Sequence, residues 1–337
     1  MADVGASPLK PFFPLKLDHF HAGATLGIGS FSRVRLVTHK IDESVWAMKV
    51  INKADVYRLK QVEHVLNERA ILDKIKCPFA VGLAGTFQDE RCLYMVLNFV
   101  AGGEYYTHLR SAVRFENNVA KFYVAQCALF LEYMHKGDFV YRDLKPENVL
   151  LDSRGYVRVT DFGFAKKVAF KTYTLCGTPE YMAPEVILCS GHGAGVDWWA
   201  LGVFAYESLV GQPPWVDDRG PMGIYQQILN GRLLFPRFVD ASAKDLVKRL
   251  LVTDLTRRFG CLVSGAGDVK EHTWFSGLDW RALADKDLTA PLVPSVGGDL
   301  GDLADTSNFD AYPDPLSEPP LPSEVGLQPP KDPFPDF

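Results

Sequence analysis

Six positions, Asp143-Leu144-Lys145-Pro146-Glu147-Asn148, bring a carboxylate, an ammonium and an amide together just after the apolar pair Phe139-Val140. Asp143 can orient a hydroxyl nucleophile and accept its proton. Asn148 can ligate a hard cation through its amide oxygen. Thirteen residues further comes Asp161-Phe162-Gly163, whose carboxylate suits Mg2+ bridging two phosphates. A merely polar loop does not account for all of these parts in this order. A glycine-rich turn, Leu26-Gly27-Ile28-Gly29-Ser30-Phe31-Ser32-Arg33-Val34, precedes them. Its glycines let backbone amides approach phosphate oxygens closely, although a glycine pair between strands is also the stuff of ordinary hairpins. A dinucleotide-binding fold would continue into a helix, whereas Arg33-Val34-Arg35-Leu36-Val37 reads as strand. Lys49, fifteen residues beyond Val34, either snorkels outward or serves a buried anion. Glu68 follows His64 by four residues and shares its helix face; a Lys49–Glu68 ion pair would aim the ammonium at phosphates.

These groups need elements to hold them. Strand-like runs cover Ser32–His39, Ser44–Ile51 and Cys92–Leu97, and apolar residues at helical spacing predict one helix from Leu59 to Ile75. After the flexible joint Ala101-Gly102-Gly103 the character turns helical. Helices are expected over Asn118–His135, Asp197–Val210 and Asp245–Val252, the second apolar almost all round and therefore buried. Residues 291–337 are rich in Pro, Gly and Asp and read as an irregular tail. The expected organisation is an N-terminal arm (1–17, with Pro8, Pro11 and Pro14), a small β-rich lobe with one key helix (18–101), a larger mainly helical lobe (102–275) and a tail (276–337), an α+β class.

Composition narrows the function classes. The 337 residues are 47% hydrophobic and 23% charged, which excludes disorder of the whole chain. The longest nearly apolar run, Val196 to Tyr206, contains Asp197 and is too short to cross a bilayer, so no membrane span is expected. A net charge of −5 argues against a nucleic-acid partner. The six cysteines form no C-x-x-C pair and no zinc spacing, which fits a reducing cytoplasm or nucleus. The first residues carry no signal-peptide core, and Ala2 takes the place a myristoylated glycine would need; the expectation is a protein neither secreted nor myristoylated.

Taken with Ala183-Pro184-Glu185, the ordered set resembles the protein-kinase signature over residues 18–337. Within that family the chain is similar to the AGC group, specifically to the catalytic subunits of cyclic-AMP-dependent kinases. Tyr141 stands where most kinases have His. Thr174-Leu175-Cys176-Gly177-Thr178-Pro179-Glu180-Tyr181 matches the activation and P+1 loops, and Val196-Asp197-Trp198-Trp199-Ala200-Leu201-Gly202 the central helix. Thr306-Ser307-Asn308-Phe309-Asp310 with Tyr312, and the closing Phe334-Pro335-Asp336-Phe337, match the tail.

The resemblance implies a bilobal kinase fold, ATP and Mg2+ as cofactors, and serine/threonine phosphorylation of protein substrates. It places Gly27, Gly29 and the amides of Ser30, Phe31 and Ser32 over the phosphates. Val34, Ala47 and Leu150 would sandwich adenine, with Leu26 and the tail residue Phe309 in the same ATP-binding set. The backbone near Asn98 and Val100 would bind the adenine edge, and Glu104 the ribose or the substrate. Lys49, paired with Glu68, would hold the α and β phosphates; Asn148 and Asp161 would hold Mg2+; Lys145 would neutralise the transferring phosphoryl group, and Asp143 would position the acceptor hydroxyl. Leu72, Leu83, Phe162 and Tyr141 would form a hydrophobic spine, and Glu185 with Arg258 a buried structural ion pair. Thr174 would be phosphorylated and bound by His64, Arg142 and Lys166. Glu104, Glu147 and Glu207 would line an acidic wall for arginine, and Leu175, Pro179 and Met182 an apolar pocket, giving Arg-Arg-x-Ser/Thr-hydrophobic substrates. No segment of the chain has the size of a cyclic-nucleotide-binding domain, so regulation by an inhibitory subunit in trans, docking around Tyr173, Leu175 and Tyr225, is expected. Two positions depart from the pattern: Ser32 stands for the third glycine and Asn98 for the usual acidic hinge residue. Ser317 and Ser323 are candidates for a tail phosphosite. The alternatives are another AGC kinase, a pseudokinase scaffold and a small-molecule kinase; retention of Lys49, Asp143, Asn148 and Asp161 speaks for catalysis.

Overall fold

Five strands rich in β-branched and aromatic residues pair into one antiparallel sheet: β1 (Phe20–Ile28), β2 (Ser32–His39), β3 (Val45–Asn52), β4 (Leu83–Gln88) and β5 (Cys92–Asn98), in the order β1-β2-β3-β5-β4. The computed structural model describes residues 15–297, 304–314, 318–327, 332–335 and 337. Residues 1–14 of the expected arm (1–17), the tail residue Ser317 and Asp336 of the closing motif lie outside the described residues. The chain divides into two compact units. The first comprises Met1–Lys76, Val81–Gly103 and Ser295–Phe337; the second comprises Cys77–Ala80 and Glu104–Pro294. The tail is thus shared: residues 276–294 belong with the second unit and the remainder with the first.

In the first unit, strand alternation sorts β3 onto two faces. Trp46 and Met48 join Phe20, Val37, Phe87 and Tyr94 in one apolar cluster, with the Phe87 and Tyr94 rings stacked at 4.5 Å. Ala47 and Lys49 alternate with them and therefore point the other way, the direction in which Lys49 meets Glu68. The helix expected over residues 59–75 is α2 (Val62–Lys74), and a short helix the sequence reading did not place, α1 (Lys53–Arg58), precedes it. Asn52 starts α1 by accepting from the Ala54 N–H at 2.9 Å. Lys60, at φ 55°, ends it, and the Gln61 N–H closes back on Val56 O. Val65, Glu68, Ile71 and Leu72 form the buried stripe of α2.

The second unit carries α3 (Tyr105–Ala112), α4 (Asn117–Lys136), β6 (Phe139–Val140), β7 (Val149–Leu151), β8 (Val157–Val159), β9 (Lys166–Lys167), α5 (Pro184–Ile187), α6 (Gly195–Val210), α7 (Pro221–Asn230), α8 (Ala241–Leu250), α9 (Ala266–Lys270) and α10 (Trp280–Ala284). Helix α8 begins four residues before the expected Asp245, because Asp240 caps it through the Ser242 and Ala243 N–H groups, and it ends at Leu250. Every residue of α6 from Val196 to Leu209 is buried, including two acids, Asp197 and Glu207. A buried carboxylate needs partners, and those of Asp197 and Glu207 build the site described next. Glu185 and Arg258 form the expected buried ion pair, two-pronged at 2.6 and 2.9 Å.

Candidate active site

In the first unit the turn between β1 and β2 is closed by the Gly29 N–H donating to Ser32 O at 2.7 Å. A side chain at Gly27 would meet no protein atom within 4 Å. Internal packing therefore does not require glycine there, and the space beside the turn is open to a ligand. Gly27 pairs with Val34, Val34 with Lys49, and Leu36 with Ala47. Lys49 Nζ lies 2.6 Å from Glu68 Oε1, with side-chain exposures of 13% and 5%. The pair clamps the ammonium between sheet and α2 rather than letting it snorkel. Leu26, Ala47 and Val100 are buried in this unit. Asn98 exchanges two bonds with Gly82: its Oδ1 accepts from the Gly82 N–H at 2.8 Å, and its N–H donates to Gly82 O at 3.0 Å. Its side-chain oxygen is therefore used as an acceptor at the strand start. The tail returns to this unit as well. Asn308 Nδ2 donates to Ala101 O at 3.1 Å, and the rings of Phe309 and Phe99 lie 5.7 Å apart. Gly103, at φ 73°, has no room for a Cβ, which would fall 2.4 Å from Asn308 O.

In the second unit the catalytic-loop backbone hangs from Asp197. This carboxylate, 0% exposed, accepts the Tyr141 N–H at 2.9 Å and the Arg142 N–H at 2.7 Å, and it also bonds His135 Nε2 at 2.7 Å. Arg142 has φ 69°, a conformation that L-residues rarely adopt and that the Asp197 bonds hold. The next residue, Asp143, is 5% exposed. Lys145 Nζ is 3.1 Å from its Oδ2, and Asn148 Nδ2 donates to the same oxygen at 2.6 Å. Lys145 also donates to Thr178 Oγ1 at 2.9 Å. Burial pushes the Asp143 carboxyl above the usual range, opposed by Lys145 and reinforced by the negative charge of Asp161. The two acids therefore share one neighbourhood. Asp161 itself sits at φ 56° and accepts the Gly163 N–H at 3.2 Å. Phe162, fully buried, packs edge-on against Tyr141 at 5.5 Å and Phe130 at 6.2 Å; Tyr141 Oη donates to Thr160 O. Two of the four expected spine residues thus meet within this unit.

The donor set fits Mg2+. Asn148 commits its amide nitrogen to Asp143, so its oxygen could serve a cation, and Asp161 could add a carboxylate. Mg2+ prefers such a sparse set of oxygens and completes its octahedron with water and phosphate. Among the described residues no three His, Cys, Asp or Glu side chains form an all-protein cage.

The expected peptide-binding residues separate into exposed and buried groups. Glu147 is exposed. Glu207 is buried, with Oε1 2.5 Å from Arg110 Nη2 and Oε2 accepting from Tyr181 Oη at 2.5 Å. Burial raises the Glu207 carboxyl, Tyr181 and Arg110 oppose the shift, and Glu147 adds to it, so the two glutamates lie close enough to repel. Glu104 starts α3 and bridges to Leu150. Leu175 is 56% exposed, Pro179 opens the short 3-10 turn Pro179–Tyr181, and Met182 is buried. Thr174 is exposed; the charges of Arg142 and Lys166 both act on Cys176, two residues away, although burial dominates and raises that thiol. His64 and the remaining spine residues, Leu72 and Leu83, belong to the first unit.

Sequence reasoning named most of these groups but missed what positions them: His135, Thr178, Arg110 and Tyr181. Asp197 carried a signal, an acid inside an otherwise apolar helix. No helix among the described residues is long and apolar enough to cross a membrane.

A protein kinase domain model matches residues 20–275. The chain is 50% identical over 308 residues to the cAMP-dependent protein kinase catalytic subunit PRKX of Homo sapiens, covering 91% of this chain and 84% of that protein. It is 50% identical over 297 residues to the cAMP-dependent protein kinase catalytic subunit of Dictyostelium discoideum, covering 88% of this chain but only 45% of that longer protein. Identity to cAMP-dependent protein kinase type 3 of Saccharomyces cerevisiae is 45% over 298 residues, covering 88% and 74%. With the phosphate-side lysine clamp and the aspartate-anchored catalytic loop in place, the chain belongs to the protein kinase family, in the AGC group alongside the cAMP-dependent catalytic subunits, and is a serine/threonine protein kinase that uses ATP and Mg2+.

Proposed function

We propose that this kinase phosphorylates Ser or Thr in Arg-Arg-x-Ser/Thr-hydrophobic segments. The observation that carries the reading is Glu207, a buried carboxylate beside Glu147 that already holds one planar guanidinium, that of Arg110. A substrate arginine presents the same fork to the same acids. Glu104 reads arginine at P−3, Glu147 and Glu207 at P−2, and Leu175, Pro179 and Met182 receive the hydrophobic residue that follows the phosphoacceptor.

In the transfer itself, Lys49, fixed by Glu68, holds the α and β phosphates beneath the amides of Gly29 to Ser32. Asn148 and Asp161 would hold Mg2+, which would supply charge neutralisation on the phosphates. Asp143 orients the acceptor hydroxyl and takes its proton, its basicity raised by burial. Lys145, bound to both Asp143 and Thr178, ties the phosphoryl charge to the substrate loop. Phosphorylation of Thr174 adds a charge of about −1.5 to −2 next to Arg142 and Lys166 and orders the loop.

Control comes from an inhibitory subunit in trans. Exposed Tyr173 and Leu175 offer it an apolar foothold beside the substrate loop. Six free cysteines, three of them buried, support a reducing cytosolic or nuclear location. A positional peptide library tests the specificity: selection for arginine at P−2 and P−3 is expected, and indifference or a preference for acids there refutes it.

A further inference from the structure

Arg142 Nη1 and His192 Nε2 are buried side-chain nitrogens with no hydrogen-bond partner among the described residues. Both belong to the wall of one small cavity of about 20 Å³, closed by Cys176, Gly177, Met182 and Val196. That is room for a single water, and two orphaned polar atoms are what such a water needs. The surrounding backbone is fixed. His192, 2% exposed, exchanges two 2.9 Å bonds with Thr172, whose hydroxyl receives Lys166 Nζ at 3.3 Å. Arg142 is held at its N–H by Asp197 and at its Nε by Phe164 O. The charged groups around the imidazole come from each neighbouring element: Arg142 from the catalytic loop, Lys166 from β9, Glu185 from α5 and Asp197 from α6, with Lys171 against the adjacent Gly191. Burial and then Arg142 hold the imidazole below its usual range, against Glu185 and Asp197. A neutral imidazole can present Nε2 as an acceptor.

We propose that His192 is a positioning residue for phosphoryl transfer: one water in this cavity accepts a hydrogen bond from Arg142 Nη1 and donates one to His192 Nε2, tying the catalytic loop to the segment that His192 and Thr172 hold together by their paired backbone bonds. The bridge steadies Arg142, and with it Asp143 one residue on. Protonated His192 would turn a second donor toward the guanidinium; the water could no longer donate to it and two cations would face each other. The inference rests on the kinase activity and not on modification of Thr174.

Two variants and one structure test it. His192→Phe removes the acceptor; His192→Gln keeps an acceptor that does not titrate. With Thr174 verified by mass spectrometry to be in the same state throughout, His192→Phe is expected to lower kcat about tenfold with peptide KM within about twofold, the loss of one buried hydrogen-bonded link. His192→Gln is expected to stay within about threefold of wild type near neutral pH and to lose one proton-dependent step from the acid side of its kcat profile. A His192→Gln variant as slow as His192→Phe, or one with the wild-type acid limb, overturns the proposal. Independently of how either variant folds, a high-resolution crystal structure of the wild-type protein must show a water on both nitrogens; a dry cavity overturns it as well.

Discussion

Replacing Asp197 with alanine should damage stability and catalysis together. The carboxylate is fully buried and accepts two backbone N–H groups, from Tyr141 and Arg142, besides bonding His135. Its removal leaves both N–H donors buried without an acceptor, at about 1–3 kcal/mol each, or roughly 2–6 kcal/mol in all. That is a large share of the ~5–15 kcal/mol that separates folded from unfolded proteins. At about 2–4 °C per kcal/mol, the transition of the helical unit should fall by roughly 5–20 °C. Asp197→Asn keeps one acceptor oxygen and should cost about half as much. Catalysis suffers through Arg142, whose φ of 69° the two bonds maintain. Once released, it relaxes to an ordinary conformation and carries Asp143 with it, so kcat should drop at least about a hundredfold, the cost of a misplaced reacting group. Differential scanning fluorimetry with a steady-state peptide assay reads both effects. An Asp197→Ala protein that melts within a degree or two of wild type and turns over normally would refute the anchoring role.

Thr174→Ala should lower kcat/KM at least about tenfold, because the cations at Arg142 and Lys166 lose the phosphate they would bind; full activity in a peptide-phosphorylation assay counts against the switch. Glu207→Gln should raise KM about tenfold for peptides with Arg at P−2 and leave P−2 alanine peptides unchanged, one charge-assisted contact being lost; equal effects on both peptides would point to a purely structural Glu207. Asp143→Asn should be inactive yet more thermally stable near neutral pH, since a carboxyl raised by burial is costly to keep ionised in the folded state. The sign follows from linkage: that cost is present above the folded pKa and disappears as pH falls below the unfolded value, so the gain in melting temperature should shrink on acidification. A gain that grows on acidification would contradict it.

The chemistry of this chain was legible from residue types at fixed spacing: Lys49, Glu68, Asp143, Asn148 and Asp161 announce phosphate and Mg2+ because few other tasks need that order. What stayed hidden depends on contacts between distant residues or on backbone conformations that no residue type signals. The break between α1 and α2 falls on Lys60, a residue with no particular liking for φ 55°; tertiary packing imposes it. Asp240 did mark the start of α8 as a capping residue, and the apolar period further along obscured it. Glu207 read as one acid of a substrate-facing wall; that it is also buried and bonded to Arg110 and Tyr181 was hidden, because these partners lie 97 and 26 residues away. Asn98 read as a departure in nucleotide recognition; that its side-chain oxygen accepts from the Gly82 N–H was not legible.

The most direct test of the account is transfer of the ATP γ-phosphoryl group to an Arg-Arg-x-Ser-hydrophobic peptide by the wild-type chain and by Asp161→Ala, with nucleotide affinity measured alongside. Wild-type protein should phosphorylate the serine in a Mg2+-dependent manner. The variant should still bind ATP, through Lys49 and the glycine turn, while turnover falls by about a thousandfold for want of the metal-holding carboxylate. Near-normal turnover by Asp161→Ala in Mg2+ would contradict the assignment of this site.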